Sequence, residues 1–164
     1  MIFVTVGTQL PFDRLIGAVD AWAGARPGRA VFAQTGPSTL RTQHIEHRPF
    51  IDPEECRARM EAASAIVAHA GMGTIISALE LGKPLLVVPR VASLGEHRND
   101  HQLATARRFA ELGRVQVVFD MDALPAAMDQ LGALVAQDRI SPYASDRLVT
   151  ALRAFIDGPL VARA

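Results

Sequence analysis

Cysteine, lysine, tryptophan and tyrosine are nearly missing from this chain of 164 residues: each occurs once, as Cys56, Lys83, Trp22 and Tyr143. A lone cysteine cannot close an internal disulfide, so nothing in the cysteine usage calls for an oxidising compartment. No apolar run approaches the roughly eighteen uninterrupted residues that a membrane-spanning helix needs. The first residues, MIFVTVG, run directly into apolar β-formers without a basic leader or cleavage site, so the chain is expected to be cytosolic. An excess of charge of one sign is also lacking, with 17 Lys+Arg against 17 Asp+Glu. A chain that grips a polyanion carries a basic excess interleaved with aromatics, so nucleic acid is excluded as an expected partner. What is abundant is apolar: 49% of residues are hydrophobic, enough for a sizeable core in one domain spanning residues 1–164.

Short β-branched runs alternate with stretches of helical period. Ile2 to Val6 reads as a buried strand ended by Gly7, and Phe12, Leu15, Ile16 and Val19 then recur at helical spacing. Ala30 to Ala33 is a second strand and Arg48 to Ile51 a third. Asp52-Pro53 opens a helix to about Ala63, with a capping carboxylate followed by proline. Ser64 to Ala68 is the fourth strand, followed by Gly71-Met72-Gly73 and a helix to about Leu81. After Gly82-Lys83-Pro84, Leu85 to Val88 is a continuous apolar run of the kind found inside parallel sheets. Asn99 or Asp100 is expected to cap a helix to Leu112, and Val115 to Phe119 is the last strand. Leu124, Met128, Leu131 and Val135 predict another helix, and Leu148, Leu152, Phe155 and Ile156 a terminal one. The alternation predicts an α/β fold, a single Rossmann-like doubly wound parallel sheet with helices on both faces. Ligands of such sheets sit beyond the carboxyl ends of the strands.

Three strand-to-helix loops carry candidate chemistry. After the first strand, Gly7 lets backbone approach a ligand and Thr8 adds a hydroxyl. After the fourth, His69-Ala70-Gly71-Met72-Gly73-Thr74 opens a helix, giving unhindered N–H groups, a hydroxyl and a positive dipole end with His69 as a further donor. Such a loop can cradle a diphosphate; a glycine-rich turn with His69 satisfied by backbone is the alternative. The dinucleotide fingerprint requires a third glycine where Ile76 stands, and the Walker loop requires Gly-Lys-Ser/Thr where the only lysine is in Gly-Lys-Pro. The third loop, Gly95 to Gln102, is the densest polar cluster. His97 and His101 lie one turn apart, but the metalloprotease spacing needs Glu directly after the first His, and here Glu96 precedes it. A ring of donors and acceptors for sugar hydroxyls, including Glu96 and Asn99, is preferred over a metal site; a merely solvated helix start is the bland alternative.

Taken together, IFVTVGTQLPFDR (residues 2–14), HAGMGTIISALELGKP (69–84) and GEHRNDHQ (95–102) resemble the C-terminal, donor-binding half of GT-B glycosyltransferases of family 28. Within it, they are similar to exopolysaccharide glycosyltransferase subunits of the PssE type and to the small catalytic subunit of the dolichol-pathway N-acetylglucosamine transferase. The resemblance implies a UDP-sugar donor used as substrate, no cofactor, no metal requirement and a lipid-linked glycan acceptor. It places Gly7 and Thr8 near the donor phosphates and sugar, and His69, Gly71, Gly73 and Thr74 at the diphosphate. Phe50 and Ile51 match the segment whose backbone meets uracil, Thr35 and Gly36 a loop facing the donor cleft, and His101 and Gln102 the pair that holds sugar hydroxyls. Relatives place a ribose-binding glutamate where this chain has Ser77, with Glu80 on nearly the same helix face. A complete GT-B enzyme has two Rossmann-like domains. The resemblance therefore implies a membrane-associated second subunit that supplies the acceptor half and holds this chain at the inner face of the membrane. His69 is the candidate for stabilising the leaving diphosphate, and His97 or His101 for the base, although the base could also lie on the partner. A non-catalytic nucleotide-binding or scaffold subunit is the alternative. The last apolar helix and Gly158-Pro159-Leu160-Val161 are either a docking element or an ordinary packed terminus.

Overall fold

The computed structural model describes residues 1–133 and 139–157. Six parallel strands form one sheet in the order β3-β2-β1-β4-β5-β6: β1 (Ile2–Thr5), β2 (Val31–Gln34), β3 (Glu46–Arg48), β4 (Ala65–His69), β5 (Leu85–Val88) and β6 (Gln116–Val117). The helices are α1 (Asp13–Gly24), α2 (Pro53–Ala62), α3 (Met72–Glu80), α4 (His101–Glu111), α5 (Leu124–Asp129) and α6 (Asp146–Asp157). β1 pairs with both β2 and β4, aligning Val4 with Ala33 and with Val67. The strand order reverses there, so the crevice beyond the carboxyl ends of β1 and β4 is where this topology opens a site.

The two-residue period of the strands divides the core into two layers. Ile2, Val4, Val31, Ala33, Val67, Leu86 and Val88 point to one face, covered by Leu15, Ile16 and Val19 of α1 and by Leu124 and Met128 of α5. Phe3, Phe32, Ile66, Ala68, Leu85 and Val87 point to the other, covered by Met60 of α2, Ile75 and Leu79 of α3 and Ala106 of α4. Within α2 only Met60 is buried, and Arg59 instead lays its guanidinium over the Phe32 ring, 3.3 Å from its centroid. Asp52 caps α2 by accepting from Glu55 N–H at 2.7 Å, with Pro53 in the first turn.

Several elements differ from the sequence reading. The third strand is Glu46–Arg48, not Arg48 to Ile51: at the sheet edge a strand needs only its ladder to β2, so it carries no apolar signal, and all three residues are exposed. β6 is confined to Gln116–Val117, with one more bond from Val118 N–H to Val87 O at 2.9 Å. The helix marked by Leu124 and Met128 stops at Asp129; Leu131 falls in a separate 3-10 turn, Leu131–Ala133, and Val135 lies outside the described residues. Asp100 stands at the N-cap of α4, but its carboxylate accepts from Ala92 N–H at 2.8 Å and makes no cap bond to the helix. In α6 no residue is buried, and Leu148, Leu152, Phe155 and Ile156 are all exposed; Gly158 to Val161 lie outside the described residues. Among the described residues no helix is long and apolar enough to cross a membrane.

Candidate functional site

The loops after β1, β4 and β5 wall a cleft of about 560 Å³ at the carboxyl edge of the sheet. Gly7 and Thr8 form one wall. His69, Gly71, Gly73 and Thr74 form the floor at the start of α3, and His97, Arg98, His101 and Gln102 form the opposite wall. Thus nine residues singled out from the sequence meet in one place, although they come from three segments spread over almost a hundred positions.

His69 stands at the centre because two glycines make room for its ring. A Cβ on Gly71 would lie 2.2 Å from His69 Cε1, and a Cβ on Gly7 would lie 2.9 Å from its Nε2. Gly7 also has φ +75°, a backbone state that side chains with a Cβ resist. The imidazole pKa is pushed down to about 4, first by burial and then by the positive charges of Arg90 and His97. At neutral pH His69 is therefore uncharged, and it acts through the direction of its N–H and not as a cation.

Two residues hold this arrangement that the sequence reading assigned elsewhere or passed over. Gln102 is buried: its Oε1 accepts from Ala70 N–H and from Arg90 N–H, each at 3.2 Å, and its Nε2 lies 3.3 Å from His69 Nδ1. Its carbonyl oxygen thereby ties together the loops after β4 and β5, while the residue also lines the cleft. Arg90, just after β5, is 2% exposed although charged. Its guanidinium donates to Val6 O and Leu10 O, each at 2.7 Å, to Pro11 O and to Glu96 O, and it lies 4.7 Å from the centroid of the Phe12 ring. One side chain thereby ties the β1–α1 loop to the β5–α4 segment. The only local trace of this is an arginine at the end of an apolar strand; its partners in the β1–α1 loop lie about eighty positions away.

Glu96 lies outside the cleft, unlike the sugar-binding ring expected of it. Its carboxylate takes Arg14 in a bidentate pair, Nε to Oε1 at 2.6 Å and Nη2 to Oε2 at 2.8 Å, and accepts Val91 N–H at 2.9 Å. A carboxylate so filled, lining a neighbouring groove, is not available to sugar hydroxyls. Thr35 and Gly36 stand beside the cleft: their N–H groups donate to Arg48 O and Pro49 O at 3.0 and 2.8 Å, which fixes the end of β2 against β3. Phe50 is half exposed after β3, and Ile51 packs on the second core layer. Ser77 lines a separate groove between α2 and α3 with Cys56 and Met60, and Glu80 ends α3 away from the cleft. Asn99 lies outside the cleft wall, but its Oδ1 takes His101 N–H at 3.4 Å and contacts His101 Nδ1. The His97 and His101 rings meet edge to face at 4.5 Å, and His97 Nδ1 is buried without a partner. Burial, His101 and two arginines lower the His97 pKa as well. Among the described residues no three His, Cys, Asp or Glu side chains gather as metal ligands.

The glycosyltransferase family 28 C-terminal domain matches residues 1–145, a span that contains the whole cleft. The chain belongs to this family. Its residues are 40% identical over 124 positions to the UDP-N-acetylglucosamine transferase subunit ALG13 of Eremothecium gossypii, covering 74% of this chain and 59% of that protein. They are 29% identical over 124 positions to the human subunit of the same name, covering 70% of this chain and 10% of that protein. The chain thus spans at most about three-fifths of these curated relatives. The family 28 fold recurs in MurG of Acinetobacter baumannii, with a TM-score of 0.65 at 18% identity over 93% of this chain and 49% of that one. The solution structure of ALG13 covers 92% of this chain and 93% of its own, with a TM-score of 0.57 at 18% identity.

Proposed function

We propose that this family 28 domain is the donor-binding, catalytic subunit of an inverting, metal-independent glycosyltransferase that moves a sugar from a UDP-sugar to a lipid-linked glycan. The reading rests on one observation: His69 and the Gly71–Thr74 turn, at the N-terminus of α3, converge at the switch point of the sheet. Attack by an acceptor hydroxyl on the anomeric carbon breaks its bond to the β-phosphate oxygen, which keeps the electron pair and leaves as UDP. Backbone N–H groups of Gly73 and Thr74, the dipole of α3 and a neutral His69 offer donors to that growing charge, a role that elsewhere falls to a metal ion. Arg98 adds positive charge to the same cleft.

Of the two histidines near α4, His101 is the better base for the acceptor proton. Asn99 Oδ1 engages its Nδ1, which leaves Nε2 as the basic nitrogen, whereas Nδ1 of His97 is buried. The names of the relatives make UDP-N-acetylglucosamine the first donor to test. Exopolysaccharide assembly is the setting we favour, with the chain cytoplasmic and held at the membrane by a second subunit that supplies the acceptor half. The exposed apolar stripe of α6 supports such an association. Differential scanning calorimetry of the chain with UDP, UDP-N-acetylglucosamine, ATP and NAD tests the donor. A uridine nucleotide at a hundred times its Kd stabilises by about 2.7 kcal/mol, whereas ATP and NAD leave the transition near its place. Equal protection by ATP or NAD overturns the assignment.

A further inference from the structure

We propose that Gln102 is a positioning residue that fixes His69 in the tautomer with its proton on Nε2, so that the cleft is offered an N–H and not a lone pair. The inference rests on the donor reading for its consequence, but its argument is independent of any ligand. Oε1 of Gln102 receives two backbone N–H groups, from Ala70 and Arg90. Two donors can face only the oxygen of an amide, so the backbone decides which end of the side chain is which. The NH2 end therefore faces His69 Nδ1, at 3.3 Å. An amide nitrogen donates and never accepts, so Nδ1 carries the lone pair, and the single proton of a neutral imidazole sits on Nε2.

Nε2 is the ring nitrogen that faces Gly7, whose Cβ would come within 2.9 Å of it, whereas a Cβ at Gly71 would strike Cε1, between the two nitrogens. The nitrogen beside Gly7, which lines the cleft, is thus the one that carries the proton. The polarity matters because a phosphate oxygen is repelled by an imidazole lone pair and accepts from an imidazole N–H. Burial, Arg90 and His97 keep the ring from gaining a second proton near neutrality, so the imidazole cannot supply both forms. The direction of its one N–H is then set by a side chain 33 positions away that need not touch the donor.

Long-range proton–nitrogen NMR on the full chain labelled at its five histidines distinguishes protonated from bare ring nitrogens. His69 is assigned by the loss of its signals in His69→Asn. Between pH 6 and 8 the expected spectrum has His69 neutral with Nε2 protonated; a proton on Nδ1 overturns the proposal. Gln102→Glu retains an oxygen for Ala70 and Arg90 but puts an acceptor opposite Nδ1, so the proton is expected to move to Nδ1. Gln102→Met, which removes the donor without adding an acceptor, is expected to release His69 into a mixture of tautomers. A folded variant of either kind with an unchanged His69 spectrum overturns the role of Gln102. Titration with UDP then separates the two readings. If the tautomer is as proposed and UDP shifts the His69 Nε2–H signal, both stand, and Gln102→Met is expected to weaken UDP by roughly tenfold. If the tautomer is as proposed and UDP leaves that signal unmoved, the donor reading fails and the Gln102 assignment remains.

Discussion

At Gly71 a single added carbon would decide where the imidazole can sit. Gly71→Ala brings Cβ into collision with His69 Cε1, so the ring or the loop must shift, at a cost of about 1–3 kcal/mol. Urea unfolding should show that loss, and UDP protection should fall with it. Arg90→Met strips four carbonyl oxygens of their shared donor, those of Val6, Leu10, Pro11 and Glu96. Unfolding free energy is expected to drop by about 3 kcal/mol or more, since buried acceptors lose a charged partner. The titration of His69 has a definite sign. Its folded pKa of about 4 lies below the ordinary 6.5, so the unfolded chain binds the proton first. This contribution is complete above pH 6.5 and is lost as pH falls towards 4, amounting to about 3 kcal/mol. Denaturant melts across that window should show the slope, and His69→Asn should flatten it. At this scale the glycines and His69 were legible because their chemistry is local. Gln102 and Glu96 were visible as polar residues, but nothing within a few positions shows that one faces two backbone amides and the other Arg14.

Elements were legible wherever burial imposes a period. Leu85–Val88 is found where its apolar run placed it, because a strand covered on both faces must be apolar throughout. β3 was misplaced because Glu46, His47 and Arg48 are held by backbone ladder alone, and the apolar Phe50 and Ile51 beyond them drew the reading forward. α6 teaches a different limit. Its apolar stripe is evident in the sequence, yet period alone says that a face is apolar and never what covers it. Because Leu152 and Phe155 are exposed in the chain, Leu152→Asp with Phe155→Asp should leave its melting temperature and UDP protection within error. The same pair should weaken association with the proposed second subunit, measured by co-purification of co-expressed chains. A loss of UDP protection in this variant would mean that α6 belongs to the core of the domain.

The whole molecule follows from alternation: six strands and their crossovers give the order that reverses between β1 and β4, and that reversal selects the edge where the cleft lies. The family match and the fold were therefore both readable from the order of a few short motifs. A second subunit was inferred from the single domain and the resemblance, because one sheet can hold a donor, whereas transfer requires an acceptor hydroxyl held in line within a few ångströms of the anomeric carbon. The chain by itself should bind UDP and transfer no sugar to a lipid-linked acceptor in a radiolabel assay, and membranes bearing the second subunit should restore transfer. Robust turnover by the purified chain would refute the two-chain proposal.

The Arg90 strut bears on how quickly a nucleotide comes and goes. A guanidinium anchored at once to the β1–α1 loop and to Glu96 O prevents those walls from swinging apart separately, so the cleft has no independent gate to open before capture. Entry should then be governed by diffusion and charge, and differences among uridine ligands should appear in residence time. Stopped-flow traces with increasing UDP should keep rising linearly in rate, without the plateau that a prior opening step imposes.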